Sequence, residues 1–529
     1  MSGISVVDRK QGSDAIRFVS FNVNGVRTLF HYQPFSQMNQ SLKASFEYFD
    51  ADVITFQELK TEKYGISKWG KVDDFYSFIS IPSNKKGYSG VGCWVRKPEK
   101  DHPLYEALKV VKAEEGITGY LTVKVGGKEV RYKDDTSQGI GGYESLGLDE
   151  TNDDEALTLD SEGRCVVVEL ACNIVVFNVY CPANSGQTDD GQLFRLKYLK
   201  VLYKRIRNLK ALGKNIVLMG DINSCRDLID QAEALEANMI QITSTTTGED
   251  IEEKYSQLAY EFVMNPEAPQ RRMLNQMLTD SIIPGISQDG ILVDTTRYVQ
   301  TKKRLKMYTV WNTLKNTRPV NYGSRIDFIL LSKELQDYIL QADILPDVMG
   351  SDHCPVYLDI DSNFFTKGND YDQVKVPRFE AKFKYDLNHK NILDMFGSQN
   401  RKRQLPSNDP EDGSAGSSST FKKSTSSRMV KGSTTSEVHD ELLIKGTNIK
   451  QTGDCISERN VKKVSTSQTK LSFFNDRLPK APLCKHGIEA ILKTSKTPTN
   501  YGRRFWSCEK PNGDSGNKAG SCGFFQWVS

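Results

Sequence analysis

No stretch of this 529-residue chain approaches ~20 uninterrupted apolar residues, so no membrane-spanning helix is expected. The opening residues, MSGISVVDRKQGSD, lack the apolar core of a secretory signal, and their acidic side chains argue against a mitochondrial presequence. Cysteine is sparse: ten residues, at 93, 165, 172, 181, 225, 354, 455, 484, 508 and 522, bunched only near the end. That spacing excludes a disulfide framework and points to a reducing compartment, cytosol or nucleus. A strong net charge is missing too, since 70 basic residues face 67 acidic ones. The balance is uneven along the chain: residues 397–529 carry an excess of ten basic side chains, and residues 1–396 an excess of seven acidic ones. Tyr and Trp are absent between Tyr385 and Tyr501, where Ser, Thr, Lys, Asn and Asp dominate. Such a segment buries too little apolar surface to offset its ordering entropy, so 397–480 is expected to be a disordered linker.

What is present is 38% hydrophobic residues, enough for a large core. Up to about residue 360, short apolar runs recur: IRFVSF, DVITF, GVGCWV, CVVVEL, NIVVFNVY, NIVLM, IDFILLS and PVYLDI. These read as buried strands. Between them Leu193, Leu196, Leu199, Leu202, Ile206 and Leu209 follow helical spacing, with Lys197, Lys200, Lys204 and Arg207 elsewhere on the helix, which predicts a core-packing helix with a solvated basic face. The stretch 126–160, rich in Glu and Asp, reads as a mobile polar insertion. No internal repeat is found.

Nearly every strand run ends in a carboxylate, amide or imidazole. IRFVSF leads to Asn22 and Asn24, DVITF to Gln57 and Glu58, and NIVLM to Asp221 and Asn223; NIVVFNVY ends at Tyr180. Arg325 and Asp327 open IDFILLS, and Ser351, Asp352 and His353 precede PVYLDI. If the strands share two packed sheets, these ends converge on one rim. Hard oxygen ligands with one imidazole and no cysteine suit Mg²⁺ or Mn²⁺ rather than zinc, and imply metal-assisted attack on phosphate. Asp221 is the candidate base. Asn223, two residues on along an extended segment, is placed to hold a phosphoryl oxygen, and His353, paired with Asp352 or another carboxylate, adds a donor. An isolated Asp-Ile-Asn after Gly is more often a turn than a catalytic site, and Glu58, Tyr180 and His353 each have a plain structural reading. Their joint occurrence is the argument.

The ordered set FNVNGVRT (Phe21 to Thr28), FQELK (Phe56 to Lys60), VYCPAN (Val179 to Asn184), GDIN (Gly220 to Asn223), YGSRIDFILLS (Tyr322 to Ser332) and GSDHCP (Gly350 to Pro355) resembles the endonuclease/exonuclease/phosphatase superfamily. Within it, the set is most similar to the exonuclease III-type apurinic/apyrimidinic (AP) endonucleases. The resemblance implies a four-layer α/β sandwich, two packed mixed sheets flanked by helices, over residues 1–380, with Mg²⁺-dependent cleavage of DNA phosphodiesters. It implies Glu58 as main metal ligand with Asn22 and Asp352 beside it, and Asp221, Asn223 and His353 at the same centre. It also implies Asp221 as water activator, Asn223 as phosphate-holding amide, Tyr180 near the scissile phosphate, Asp327 orienting His353, and Arg325 at the DNA. Two positions depart from the pattern: Asn24 stands where many relatives have Asp, and Ser324 where many have a bulky aromatic that packs on an extruded abasic sugar. The second departure leads us to expect strong 3′-end processing, exonuclease or 3′-phosphodiesterase, relative to AP incision.

In the linker, Gln468, Leu471, Phe473 and Phe474 keep the spacing of, and resemble, the box that binds the sliding clamp, proliferating cell nuclear antigen. In residues 481–529, Cys484, His486, Cys508 and Cys522 are a plausible tetrahedral zinc set, with free cysteines as the alternative. The surrounding PLCKHG, NYGRRFWSC and CGFFQW resemble the GRF-type zinc finger. Arg503 and Arg504 beside Phe505 and Trp506 suit single-stranded DNA, with Phe524 and Trp527 expected in the finger's small core. The domain order resembles the second eukaryotic class of AP endonucleases, which implies nuclear base excision repair on damaged duplex and single-stranded DNA. Arg401, Lys402 and Arg403 fit part of a nuclear localisation signal, and no membrane association is expected. Two rivals stand beside this reading: a phosphoinositide or sphingolipid phosphodiesterase, and a noncatalytic repair adaptor.

Overall fold

The computed structural model describes residues 10, 12–83, 85–149, 151–366, 374–387, 482–494, 504–508, 522 and 524–527. The chain divides into two units, Met1–Pro410 and Glu411–Ser529.

The first unit is built on twelve strands: β1 (Ala15–Asn22), β2 (Val53–Gln57), β3 (Phe75–Ser80), β4 (Val91–Arg96), β5 (Val110–Glu115), β6 (Cys165–Leu170), β7 (Ile174–Tyr180), β8 (Asn215–Asp221), β9 (Leu292–Asp294), β10 (Asp327–Ser332), β11 (Ile339–Ile344) and β12 (Val356–Asp361). One sheet has the order β11-β12-β1-β2-β4-β3 and the other β9-β10-β8-β7-β6-β5. In each, only the central pair is parallel: β1 with β2, and β7 with β8. Each pair is joined by a crossover helix, α1 (Leu42–Tyr48) and α2 (Asp189–Ala211). The central strands are apolar on both faces because both faces are covered. Along β7, Ile174 and Val176 meet Phe18, Val217, Ile329 and Leu358 between the sheets, while Val175, Phe177 and Val179 meet Leu199, Leu202 and Ile206 of α2. The outer face of the other sheet packs Val19, Phe21 and Ile54 against Leu42, Phe46 and Trp69. This is the expected four-layer sandwich.

Strand direction then fixes where function can sit. The parallel strands β1, β2, β7 and β8 finish at the rim where the antiparallel β10 and β12 begin, so the polar residues at these six ends gather there. Asn178 couples the two sheets just beneath the rim: it accepts from Gln57 Nε2 and donates to Gly92 O, both at 2.8 Å.

Three expectations change. Leu193 lies on the solvent side of α2, 69% exposed, and the buried stripe instead includes Tyr198, Val201 and Tyr203. Residues 126–160 are packed. They complete a hairpin (Thr122–Val125 with Lys128–Arg131), form a helix at Asp154–Asp160, and bury Ile140, Leu146 and Leu159 against α2. The fully buried Arg205 ties that region down through Glu114, Gly116 O and Gly141 O. The first domain also runs past 380, since Ala381 is buried and Tyr385 Oη donates to Ile79 O at 2.9 Å.

The second unit contains a three-stranded antiparallel sheet, β13 (Ile491–Thr494), β14 (Arg504–Ser507) and β15 (Phe525–Trp527). Trp506, 7% exposed, is the buried aromatic among its described residues. Phe524 and Trp527 are only partly buried, which corrects the expectation for both. Strand phase is the reason: position 506 faces inward, while Phe505, Phe525 and Trp527 form a ring cluster with centroids 4.7 to 5.6 Å apart. Residues 397–480, with the clamp-box residues Gln468, Leu471, Phe473 and Phe474 and the basic run 401–403, lie outside the described residues.

Candidate active site

At the rim, Asn22 Nδ2 donates to Glu58 Oε1 and to Asp221 Oδ2, each at 2.9 Å. His353 Nδ1 donates to Asp327 Oδ2 at 2.8 Å, and its Nε2 lies 4.0 Å from Asp221 Oδ2. Ligand atoms of Glu58, Asp221 and His353 all fall within 4.8 Å of one another. Tyr180 ends β7 opposite Asp221 in the parallel register. Side chains remote in the sequence thus meet because each stands at a strand end.

The backbone turns sharply at these ends. Asn24, Glu58 and Asn223 have φ of +44°, +53° and +54°, the left-handed region that costs a non-glycine residue energy and collects at functional sites. Asn223 therefore does not continue an extended segment. Its backbone N–H donates to Asp221 Oδ1 at 2.9 Å and its Nδ2 to Cys181 O at 2.8 Å, an Asx-type turn that leaves the second amide hydrogen free to face a ligand. Arg195, buried under this turn, donates to Ala183 O and Asn223 O and joins the ends of β7 and β8.

Burial and the neighbouring Asp327 push Asp221 up to about 7, against the opposing pull of His353, the Asn22 amide and the Asn223 N–H. Burial alone would lower His353, but Asp327, Asp221 and Asp352 together raise it to about 10. The imidazole is thus held protonated near neutral pH. Burial, then the Glu58 and Asp221 carboxylates, raise the Tyr180 phenol well above its ordinary value, so it stays a hydrogen-bond donor.

Several sequence expectations change here. Asn22 directs its nitrogen at both carboxylates, and its oxygen accepts from Asn24 N–H at 3.1 Å, so it organises the pair. His353 pairs with Asp327, the carboxylate expected to orient it, rather than with Asp352, and its ring stays in the close group with Glu58 and Asp221. Asp352 stands outside the close group: it accepts from Asn24 Nδ2 at 2.8 Å, and Lys60 Nζ links Asn24 to Glu58 Oε2, which lies 2.8 Å from it. Arg325 is no DNA contact. It is 1% exposed, and its guanidinium grips Asp230 and Asp294 through four bonds of 2.8 to 3.0 Å. Lys60, Asn178 and Arg195 were not singled out by sequence. Only Lys60 carried a signal, its place in FQELK.

The donor set at the rim fits a hard divalent cation: two carboxylates meet there, and the ammonium of Lys60 already balances part of their charge. In the second unit Cys484, His486, Cys508 and Cys522 form the other close group, with His486 Nδ1 3.8 Å from Cys484 Sγ and 3.5 Å from Cys508 Sγ. Three thiols and an imidazole match tetrahedral zinc. Arg504 opens β14, and Arg503 lies outside the described residues.

Residues 19–353 match the Endonuclease/Exonuclease/phosphatase family, and residues 482–529 match the GRF zinc finger. A DNA-(apurinic or apyrimidinic site) endonuclease 2 of Saccharomyces cerevisiae is 55% identical over 519 residues, spanning 98% of this chain and 98% of its own. The Schizosaccharomyces pombe protein of the same name is 31% identical, spanning 97% and 98%. The crystal structure of the Xenopus laevis APE2 catalytic domain superposes with a TM-score of 0.52 at 24% identity, covering 71% of this chain and 99% of that one, a likeness of fold.

Proposed function

The chain belongs to the endonuclease/exonuclease/phosphatase family, and from that membership we propose that it is a DNA repair nuclease that cuts at AP sites and trims 3′ ends. Relatives spanning nearly its whole length carry the name of AP endonucleases, which supports DNA as substrate over a lipid phosphodiester. The observation that carries the reading is the meeting of Glu58, Asp221 and His353 at one rim.

In this reading water attacks phosphorus in line. Asp221, buried and poised near 7, takes the proton, and the bond to the leaving sugar oxygen breaks. The protonated His353, steadied by Asp327, donates from Nε2 to a non-bridging oxygen. The Asn223 amide and the Tyr180 hydroxyl add neutral donors. Glu58 would hold Mg²⁺ or Mn²⁺, which when bound supplies charge neutralisation at the phosphate and the leaving oxyanion. Asp352, separated from Glu58 by Asn24 and Lys60, is the next oxygen group on that side.

The test is Mg²⁺-dependent cleavage of duplexes bearing an AP site or a blocked 3′ end. Asp221→Asn and Glu58→Ala should each lose about 10²-fold or more, the scale of general-base and electrostatic terms. Undiminished turnover in both variants would remove the reading, and with it the advantage over a noncatalytic adaptor.

The rest of the chain suits the same task. The finger's open ring cluster with Lys493, which pairs in register with Phe505, supports single-stranded DNA as its ligand. The box at Gln468, Leu471, Phe473 and Phe474 supports a sliding-clamp partner and work in the nucleus. A pull-down in which Phe473→Ala with Phe474→Ala keeps full clamp binding would dispose of that partner.

A further inference from the structure

Arg164, the residue before β6, belongs to none of the strand-end motifs, yet it underlies the Tyr180 ring. Its guanidinium lies 4.8 Å from the Tyr180 ring centroid and 5.4 Å from that of Tyr88. Each of its three nitrogens has a partner: Nε donates to Glu162 Oε2 at 2.7 Å, Nη1 to Tyr180 O at 3.0 Å, and Nη2 to the Tyr88 hydroxyl. The backbone repeats the connection, with Tyr180 N–H donating to Arg164 O at 2.9 Å. Arg164 is 4% exposed, so these contacts are made away from bulk water, where a cation over a ring counts most.

Two further facts give this stack a role. The Tyr180 hydroxyl has no hydrogen-bond partner among the described residues, so nothing at its own tip orients the ring; the guanidinium beneath does. Tyr88 is followed by Ser89 and Gly90, whose carbonyls accept from Lys60 N–H and Leu59 N–H, each at 2.9 Å. That loop therefore backs the segment that follows Glu58. One planar side chain thus touches the phenol on one sheet and, through Tyr88, the carboxylate segment on the other.

We propose that Arg164 is a positioning residue for hydrolysis: it fixes the Tyr180 ring so that the free hydroxyl faces the scissile phosphate, and through Tyr88 keeps that ring in register with the Glu58 segment. This rests on the nuclease reading above. A point charge on a flexible stem cannot replace the fork, because the two tyrosines must be met by one plane.

A double-mutant cycle in the full-length protein tests it, comparing wild type, Arg164→Leu, Tyr180→Phe and the pair on an AP-site duplex with Mg²⁺. Arg164→Leu should lower kcat about 10-fold or more with KM within about threefold, as expected for misplacement of a group used in the transition state. In the Tyr180→Phe background the same change should cost less than about twofold, since the hydroxyl it serves is gone. Arg164→Lys should behave like Arg164→Leu. Equal losses in both backgrounds, or full activity of Arg164→Lys, overturn the proposal. Should Arg164→Leu not fold, Tyr88→Phe removes the Nη2 partner. It should give a smaller loss that also vanishes with Tyr180→Phe, and persistence of that loss counts against us. If wild type cleaves nothing, the nuclease reading fails on its own. A crystal structure of Arg164→Leu then decides the positioning: a displaced Tyr180 ring is expected, and an unmoved, well-ordered ring refutes it.

Discussion

Removing the Arg325 guanidinium would leave two buried carboxylates, Asp230 and Asp294, each with one cation fewer, where neither reaches water. Arg226 and Arg297 share these acids, so the cluster is a buried network in which every charge is answered. Breaking such a pair from one side costs about 3–5 kcal/mol, so Arg325→Leu should lower the unfolding free energy by that order, read from denaturant midpoints. The pH dependence follows. Burial alone would raise Asp294, but Arg325 and Arg226 outweigh it and hold the group below the ordinary carboxylate value; Asp230 is lowered in the same way by Arg325 and Arg297. A depressed folded value means stability present above the unfolded pKa of about 4 and lost as pH falls below it. Asp294→Asn should flatten the acid limb of stability against pH, and an unchanged limb would show that the cluster does not drive acid unfolding. At the neighbouring position, Ser324→Trp should raise AP incision relative to 3′-end trimming several-fold, because a ring there helps offset an unstacking cost of a few kcal/mol. An unmoved ratio in paired assays would end that pocket argument.

At the scale of elements, the close approach of β7 and β8 sets the geometry beneath Asp221. Gly220 has φ of +134°, and a Cβ there would sit 2.1 Å from Val179 O. The obstacle is backbone of the paired strand, so Gly220→Ala must part the strands next to Asp221 or not fold as they do. Destabilisation of more than about 2 kcal/mol, with activity lost even where the protein remains folded, is expected. Wild-type stability in that variant would contradict the contact. The convergence of the strand ends was legible in the sequence because it depends only on strand direction: runs that finish polar and runs that begin polar share a rim when antiparallel neighbours flank parallel pairs. What was not legible depends on turns and on phase. Asn223 was assigned an extended backbone because the strand run was carried on past Asp221, although Asn in a turn-prone Gly-Asp-Ile-Asn readily takes the left-handed region. Arg325 looked like a DNA contact because Asp230 and Asp294, which neutralise it, are distant in sequence. Trp506 changed places with Phe524 and Trp527 because alternation along a four-residue strand has no second element in the sequence to fix which side is inside.

At the scale of the whole molecule, the two units differ in what holds them. The first packs three large apolar clusters between and outside two six-stranded sheets, whereas the described part of the second offers one buried tryptophan, two small strand pairings and four candidate metal ligands. A module so small needs a staple, and a structural zinc supplies about 10–16 kcal/mol of binding, enough to drive folding. Metal loss should therefore act on one unit alone. In the full-length protein, Cys508→Ser should abolish single-stranded DNA binding and remove one equivalent of zinc, while kcat on a short AP-site duplex stays within about twofold, since Glu58, Asp221 and His353 all belong to the first unit. On long substrates with single-stranded flanks the same variant should lose apparent affinity by a larger factor. A tethered second contact raises the local concentration of DNA ends by mass action, and an unlinked finger added in trans cannot restore it. Matched measurements on short and flanked duplexes, with zinc content read by atomic absorption, check both limbs. Equal loss on the two substrates would show that the finger acts on the chemistry rather than on capture.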